Sequence, residues 1–338
     1  MVVPACSANS ALIVVAVQRA GHRRGLYFPR VARSVDLLTA GEAFQDLIFA
    51  GLPHLPRRGE ELRVPRFAAT IGGGAVITAT AAARLGLRTL IVSALSAEAA
   101  AALRRDRVQV VNVKRPSEPH AVSVSLSTTG DRSFVTFNGV NDRLERRLPA
   151  AMAHRRARHV HLAFAPRNCA RWARIVDRLR ARGVTTSWDF GWNPSLHRSP
   201  GFDALLRSAD FIFVNEAEAA LYAGARQRST TLRFWRGAAR NTIVKLGPRG
   251  SRWIASGSLA TDTSAPAPRV RAVDTTGAGD AFNGGFLTAW LGGRPAHECL
   301  RLGNFVGAQS TLAPGGVLAL PTPLARGAGG AGRPGGSK

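Results

Sequence analysis

From Val35 onward, short apolar runs alternate along the chain with stretches whose apolar residues recur every three or four positions. Val35–Ala40, Thr89–Ser93, Val108–Val113, His159–Ala163, Val184–Asp189, Phe211–Val214 and Thr242–Leu246 read as strands. Ala75–Leu85, closed by Gly86, reads as a helix, as do Ala97–Arg105, Cys169–Arg182 and the apolar segment from Ala281 to Trp290. Strands alternating with helices predict βαβ units and a largely parallel sheet covered on both faces.

Two segments break this rhythm. Leu47–Phe67 is rich in Pro, Gly and charge and carries no helix period, and Ala121–Ser127, Thr129-Gly-Asp-Arg and Ser133–Phe137 read as a β-hairpin. Strands placed early and outside the main sheet predict a small β lid, over residues of about 46–67 and 120–138. The chain then divides into an N-terminal extension (1–32), one α/β domain (33–322) and a Gly/Ala/Arg tail (323–338) expected to be disordered. The apolar run Ala11–Val17 is too short to span a membrane, and its positive charge follows it, the reverse of a secretory leader. No stretch of roughly 18 apolar residues occurs, so no spanning helix is expected.

Composition narrows the picture a little. The three cysteines, Cys6, Cys169 and Cys299, are odd in number and far apart. That spacing argues against a disulfide framework or a zinc site and fits a reducing cytoplasm. A net charge of +25 points toward polyanions, yet only three of the 46 basic residues are Lys and the Arg are scattered. The expectation is a solvated Arg-rich surface with weak, non-specific polyanion binding at low salt.

The chemistry concentrates in Asp274-Thr-Thr-Gly-Ala-Gly-Asp280, which runs straight into the apolar helix. A Gly-rich turn at a helix start leaves the N–H groups of Gly277, Ala278 and Gly279 facing outward, where they and the helix dipole favour an anion. Asp280 at the end of that cradle can take a proton from an attacking hydroxyl while the N–H groups stabilise a phosphoryl group in transit. A Walker-type loop, with Lys and Ser/Thr after its last Gly, is absent.

This stretch resembles the second signature of the ribokinase-like (PfkB) family of carbohydrate and nucleoside kinases. Ile71-Gly-Gly-Gly-Ala-Val-Ile-Thr-Ala-Thr-Ala-Ala-Ala-Arg-Leu-Gly86 resembles the first, and the likeness spans roughly Val35 to Thr322. It implies an α/β fold with a doubly covered, mostly parallel sheet and a small β-strand lid, a sugar substrate, and ATP with Mg2+. By resemblance Asp280 is the base, and Gly277, Ala278 and Gly279 are the anion hole. Asp46 holds substrate hydroxyls, and Gly72, Gly73 and Gly74 let the substrate lie against the backbone. Asn215 and Glu218 organise Mg2+ and phosphate through water. Lys245, Gly247, Gly250 and Asn304 border the nucleotide, and Asp274 and Thr276 fall where some members hold K+. Exposed lid strands also suggest a homodimer.

Departures from the pattern are visible. Ile77 stands where many sugar kinases carry an Asn that bonds a substrate hydroxyl, so the acceptor is expected to be less hydroxylated or differently oriented there. After Ser93, Ala-Leu-Ser-Ala-Glu replaces a Gly-Asp-Asp type of turn, which fits lost activity, a shifted substrate or a shortened loop. Asp189-Phe-Gly-Trp-Asn-Pro matches a segment near the phosphates, with Trp192 expected to pack; His159 and His161 are expected to be structural. The function expected is transfer of the γ-phosphate of ATP to a sugar hydroxyl. The alternatives are a nucleoside kinase of the same fold, or a non-catalytic ligand-sensing or nucleic-acid-associated relative.

Overall fold

The computed structural model describes residues 34–128, 132–225, 227–257 and 262–320. The extension at 1–32, the tail at 323–338 and Cys6 lie outside the described residues. Among those described, Cys169 and Cys299 are free and buried, and no helix is long and apolar enough to cross a membrane.

The central sheet has nine strands: β1 (Val35–Gly41), β4 (Thr89–Ser93), β5 (Gln109–Asn112), β8 (Ala157–Ala163), β9 (Thr185–Asp189), β10 (Phe211–Asn215), β11 (Asn241–Lys245), β12 (Ser251–Ala255) and β13 (Thr263–Ala265). Their spatial order is β13-β12-β11-β10-β9-β8-β1-β4-β5. All pairs from β11 to β5 are parallel, and β12 and β13 finish one edge antiparallel. The chain winds outward from β1 through β4 to β5, then returns to the other side of β1 at β8. Ligands of open α/β sheets bind at the strand C-termini where the winding reverses, which here is the crevice between β1 and β8.

Alternation along each strand sends residues to opposite faces. Leu38, Ala40, Val160, Leu162, Trp188, Ile212 and Val214 pack with Trp172 and Trp235 of the helices α4 (Cys169–Ala181) and α7 (Arg228–Ala238). On the other face Leu37, Phe211, Phe213 and Ile243 meet Phe282 and Phe286 of α8 (Ala278–Leu291) and Leu300 of α9 (Ala296–Ser310). Helix α1 (Gly74–Arg84) lies beside α8 on that face and is buried nearly throughout; its run of Ala and Thr allows the close approach. Between β4 and β5 runs α2 (Ala97–Arg105); α3 (Leu144–Met152), α5 (Phe202–Ser208) and α6 (Glu216–Tyr222) complete the helices.

A second sheet stands apart from the first. Its strands are β2 (Phe44–Leu52), β3 (Arg66–Gly72), β6 (Val122–Thr128) and β7 (Arg132–Phe137), in the order β3-β2-β6-β7. β6 and β7 form the antiparallel pair read from the sequence, and β2 joins β6 in parallel. The Pro- and Gly-rich region thus contributes strands at its two ends, with an irregular connection between Leu52 and Arg66.

Candidate active site

The turn before α8 is built by Asp274. Its Oδ1 accepts the N–H of Thr276 at 2.9 Å and the Thr276 hydroxyl at 2.7 Å, and its Oδ2 accepts the N–H of Gly315 at 2.8 Å. Gly277 then caps the helix with φ 72°, and a Cβ at that position would lie 2.4 Å from Cδ1 of Ile77. Left-handed backbone and close contact both require glycine there. Its carbonyl accepts the N–H groups of Asp280 and Ala281 at 3.1 and 2.9 Å. Ala278 donates to the carbonyl of Thr275 at 3.3 Å, while the N–H groups of Gly277 and Gly279 have no acceptor among the described residues. Of the three donors expected, these two are open toward an anion.

Asp280 is the third residue of α8, and Thr78 of α1 anchors it by donating to its carbonyl at 3.0 Å. Its carboxylate reaches the switch point: a Cβ at Gly74 would lie 2.9 Å from its Oδ1 and 3.0 Å from the Cβ of Ala163, the last residue of β8. Burial, then the Asp189 carboxylate, push the Asp280 carboxyl up to about 7; Lys245 opposes this, and Glu218 and Asp46 add to it. A general base is most effective when its pKa lies near working pH.

Lys245, at the end of β11, lies across the first turn of α8, its Nζ 3.0 Å from where a Cβ on Gly279 would be. Asp189, at the end of β9, accepts from Lys245 at 2.7 Å and from the Asn283 amide at 2.8 Å through Oδ2, and from the N–H of Gly191 at 3.1 Å through Oδ1. Both side chains are about nine-tenths buried, at 12% and 8% exposure. The Lys245 ammonium helps to hold Asp189 ionised against its burial. Asp189 was expected near the phosphates only as part of its segment, and Asn283 and Thr78 escaped the sequence reading as site components. Asn283 was signalled by its position three residues after Asp280, which sets it on the same helical face.

Asn215 and Glu218 follow β10 as expected, and they bond each other. Asn215 Oδ1 accepts the Glu218 N–H at 2.8 Å, and Glu218 Oε2 accepts the Asn215 N–H at 2.8 Å, a reciprocal cap on α6. Glu218 is buried, which raises its carboxyl, as does Asp189.

On the side of α8 away from Gly74 a cavity of about 490 Å³ runs from Lys245 and Gly279 to Asn304 and Ala308, with Gly247 and Gly250 on its wall. Asn304 gives its amide to the carbonyls of Ala265 and Pro266 at 3.0 and 3.2 Å, which fixes that wall.

On the Gly74 side Asp46 of β2 lies so close over Gly72 that a Cβ there would meet Oδ2 at 1.8 Å. Burial, then Asp274, raise the Asp46 carboxyl to about 7. Ile77 is buried, its Cδ1 2.6 Å from a Cβ position at Gly316 as well as near Gly277. The segment after Ser93 is an ordered turn: Asn112 brackets Leu95 with bonds of 2.9 Å to its N–H and carbonyl, and Ser96 caps α2. His159 and His161 hydrogen-bond Thr185 and Ser187, and burial holds the His161 imidazole near 4, hence neutral. Trp192, expected to pack, is instead 62% exposed, just past the left-handed turn at Gly191. Among the described residues no group of three or more His, Cys, Asp or Glu could hold a metal ion.

Comparison with known proteins matches residues 36–323 to the pfkB family carbohydrate kinases. The chain is 30% identical over 298 residues to an acarbose 7(IV)-phosphotransferase from an Actinoplanes species, covering 84% of this chain and 94% of that one. It is 27% identical to a nucleoside kinase of Methanothermobacter thermautotrophicus, over 80% and 87% of the two chains. In fold it is similar to a putative ribokinase II from E. coli solved in complex with ATP and Mg2+, with a TM-score of 0.70 and 21% identity over 85% and 96% of the chains.

Proposed function

The chain belongs to the pfkB family of carbohydrate kinases, and from that premise we propose that it transfers the γ-phosphoryl group of ATP to a hydroxyl of a small sugar. The observation that carries this reading is the place of Asp280. Its carboxylate faces Gly74 across the switch point, at the start of the helix whose Gly277 and Gly279 N–H groups are open and whose far side borders the 490 Å³ cavity. A base, an anion cradle and a nucleotide-sized space thus share one helix end.

Asp280 takes the proton of the acceptor hydroxyl as that oxygen bonds to phosphorus. The bond from phosphorus to the ADP oxygen breaks, and the electron pair leaves with ADP. The N–H groups of Gly277 and Gly279 donate to the phosphoryl oxygens, and Lys245 places positive charge beside them. The cavity suits the nucleotide, with Gly247, Gly250 and Asn304 against the base and ribose. Glu218, through water, would hold Mg2+, which neutralises phosphate charge when bound. Asp274 and Thr276 hold the loop that carries the cradle; K+ beside them would steady that loop, and turnover in K+ against Na+ tests it.

The nucleoside kinase named above supports a second reading, a nucleoside as acceptor, and the apolar packing of Ile77 is compatible with it. We also read exposed Phe67, Val135 and Phe137 of the small sheet as a contact between two copies, to be checked by sedimentation.

The test is ADP release with Mg·ATP against ribose, fructose, inosine, adenosine and 2-keto-3-deoxygluconate. Turnover with one of them, lost in Asp280→Asn, supports the reading. Full turnover in that variant overturns the role of Asp280, and a folded protein that binds no ATP overturns the kinase reading itself.

A further inference from the structure

The acceptor side holds two polar groups with nothing to bond. Asp46 and Thr70 are directly opposed in the antiparallel register of β2 and β3, so their side chains lie on the same face of the small sheet. Thr70 is 6% exposed and Asp46 8% exposed. The Thr70 hydroxyl has no hydrogen-bond partner among the described residues, and none of their donors acts on the Asp46 carboxylate. Buried polar groups in native proteins almost always find partners, so an orphaned hydroxyl beside an orphaned carboxylate marks a place where another molecule bonds.

Both groups border the glycine strip that leads to the base. Asp46 Oδ2 overlies Gly72, Asp280 Oδ1 overlies Gly74, and Thr70 Oγ1 would lie 2.6 Å from a Cβ at Gly315, in the turn held by Asp274. The charge along this strip is one-sided. Carboxylates stand at both ends, Asp46 over Gly72 and Asp280 over Gly74. Among the described residues the cation that acts on Asp280 is Lys245, which Asp189 holds; at Asp46 the charge that acts is a further carboxylate, that of Asp274. In a protein of net charge +25 the acceptor wall is therefore locally acidic.

We propose that the Asp46–Thr70 pair selects an acceptor that bears hydroxyl groups and no negative charge, with Thr70 one of its binding residues. Adjacent hydroxyls of the acceptor donate to Asp46, and one of them exchanges a hydrogen bond with Thr70. A carboxylate or phosphate on the acceptor would meet like charge in a poorly hydrated cleft where, among the described residues, the cation acting on Asp280 is already held by Asp189. This rests on the kinase reading for its function, and not for its binding.

Matched acceptors test it: fructose with fructose 1-phosphate, ribose with ribose 5-phosphate, and glucose with gluconate. Calorimetric binding to the wild-type protein without nucleotide reads selection apart from turnover, and ADP release reads it in the reaction. At least one uncharged acceptor should bind about a hundred-fold tighter than its anionic partner, about 2.7 kcal/mol at 1.36 kcal/mol per decade. Thr70→Val should raise its KM about ten-fold with kcat little changed, and Thr70→Ser should restore it. Asp46→Asn should narrow the gap between the partners. If neutral acceptors bind selectively but no phosphate moves, the kinase reading fails and this inference stands. An anionic acceptor bound as tightly as its partner, no binding by any uncharged acceptor, or an unchanged KM in a folded Thr70→Val protein would overturn it.

Discussion

Lys245 and Asp189 form an ion pair of 2.7 Å whose ammonium lies over the opening turn of α8, 3.0 Å from the Cβ position of Gly279. β11 and β9 are not neighbours; β10 lies between them, and the two side chains meet above its C-terminal end. The pair holds the Lys245 ammonium from the sheet against the first turn of α8.

Removing the cation alone should be costly. Lys245→Met leaves Asp189 buried with, among the described residues, only Asn283 and Gly191 as donors, and a broken buried pair costs about 3 kcal/mol or more. Urea denaturation should show that loss, and the double variant Lys245→Met/Asp189→Asn should recover part of it. Both variants should show a raised KM for ATP.

Asp280→Asn should lower kcat by roughly a hundred-fold to ten-thousand-fold, the range attributed to general base catalysis, with ATP affinity largely kept. Rapid-quench turnover and nucleotide titration separate the two effects.

In the wild-type protein the base must be ionised to accept a proton. With the Asp280 carboxyl raised to about 7, kcat/KM should climb about ten-fold per pH unit below 7 and level off above it. Asp46, also near 7, should steepen the acid limb if its ionised form binds the acceptor. A flat profile from pH 5 to 8 would contradict both assignments.

The same shift has a consequence for stability with a fixed sign. A carboxyl raised in the folded state binds its proton more tightly there than in the unfolded chain. Its stabilising contribution is therefore full below the unfolded value of 3.8 and falls as pH rises through about 7. Asp280→Asn should then melt above the wild type at pH 8, with the gap closing toward pH 4. Differential scanning calorimetry at the two pH values checks this.

Gly277 and Gly279, on either side of Ala278, should respond differently to a methyl group. Gly277→Ala forces a left-handed cap and presses on Ile77, at a cost of about 1–3 kcal/mol, read as a lower midpoint in denaturant. Gly279→Ala meets only the flexible end of Lys245, so it should leave stability nearly unchanged and raise the KM for ATP several-fold.

Much of this architecture was legible beforehand, for identifiable reasons. Ala97–Arg105 carries a clear capping Ser and a helical period, and it is a helix over that same span. The runs at His159–Ala163 and Phe211–Val214 are β-branched, aromatic and short, and they lie in the parallel sheet within two residues of their expected ends. The turn from Asp274 to Asp280 declared itself by composition. What the sequence could not display is pairing at a distance. Asp189 and Lys245 are 56 residues apart, and Asp46 and Thr70 meet only once β2 and β3 are in register. Trp192 shows the converse limit, since an aromatic in an apolar-looking segment carries no sign of the turn that turns it outward.

Asp46 and Thr70 belong to the small sheet and Asp280 to a helix packed on the large one. The chain crosses between the two layers at Gly41–Phe44, Gly72–Gly74, Asn112–Val122 and Phe137–Gly139, and Gly73 and Gly139 hold positive φ. A swing about these crossings would carry Asp46 and Thr70 together away from Asp280. On the proposed reading, opening far enough to admit an acceptor would take the reactive arrangement apart, and a lone water entering the gap would meet Asp280 without the pair that aims the acceptor.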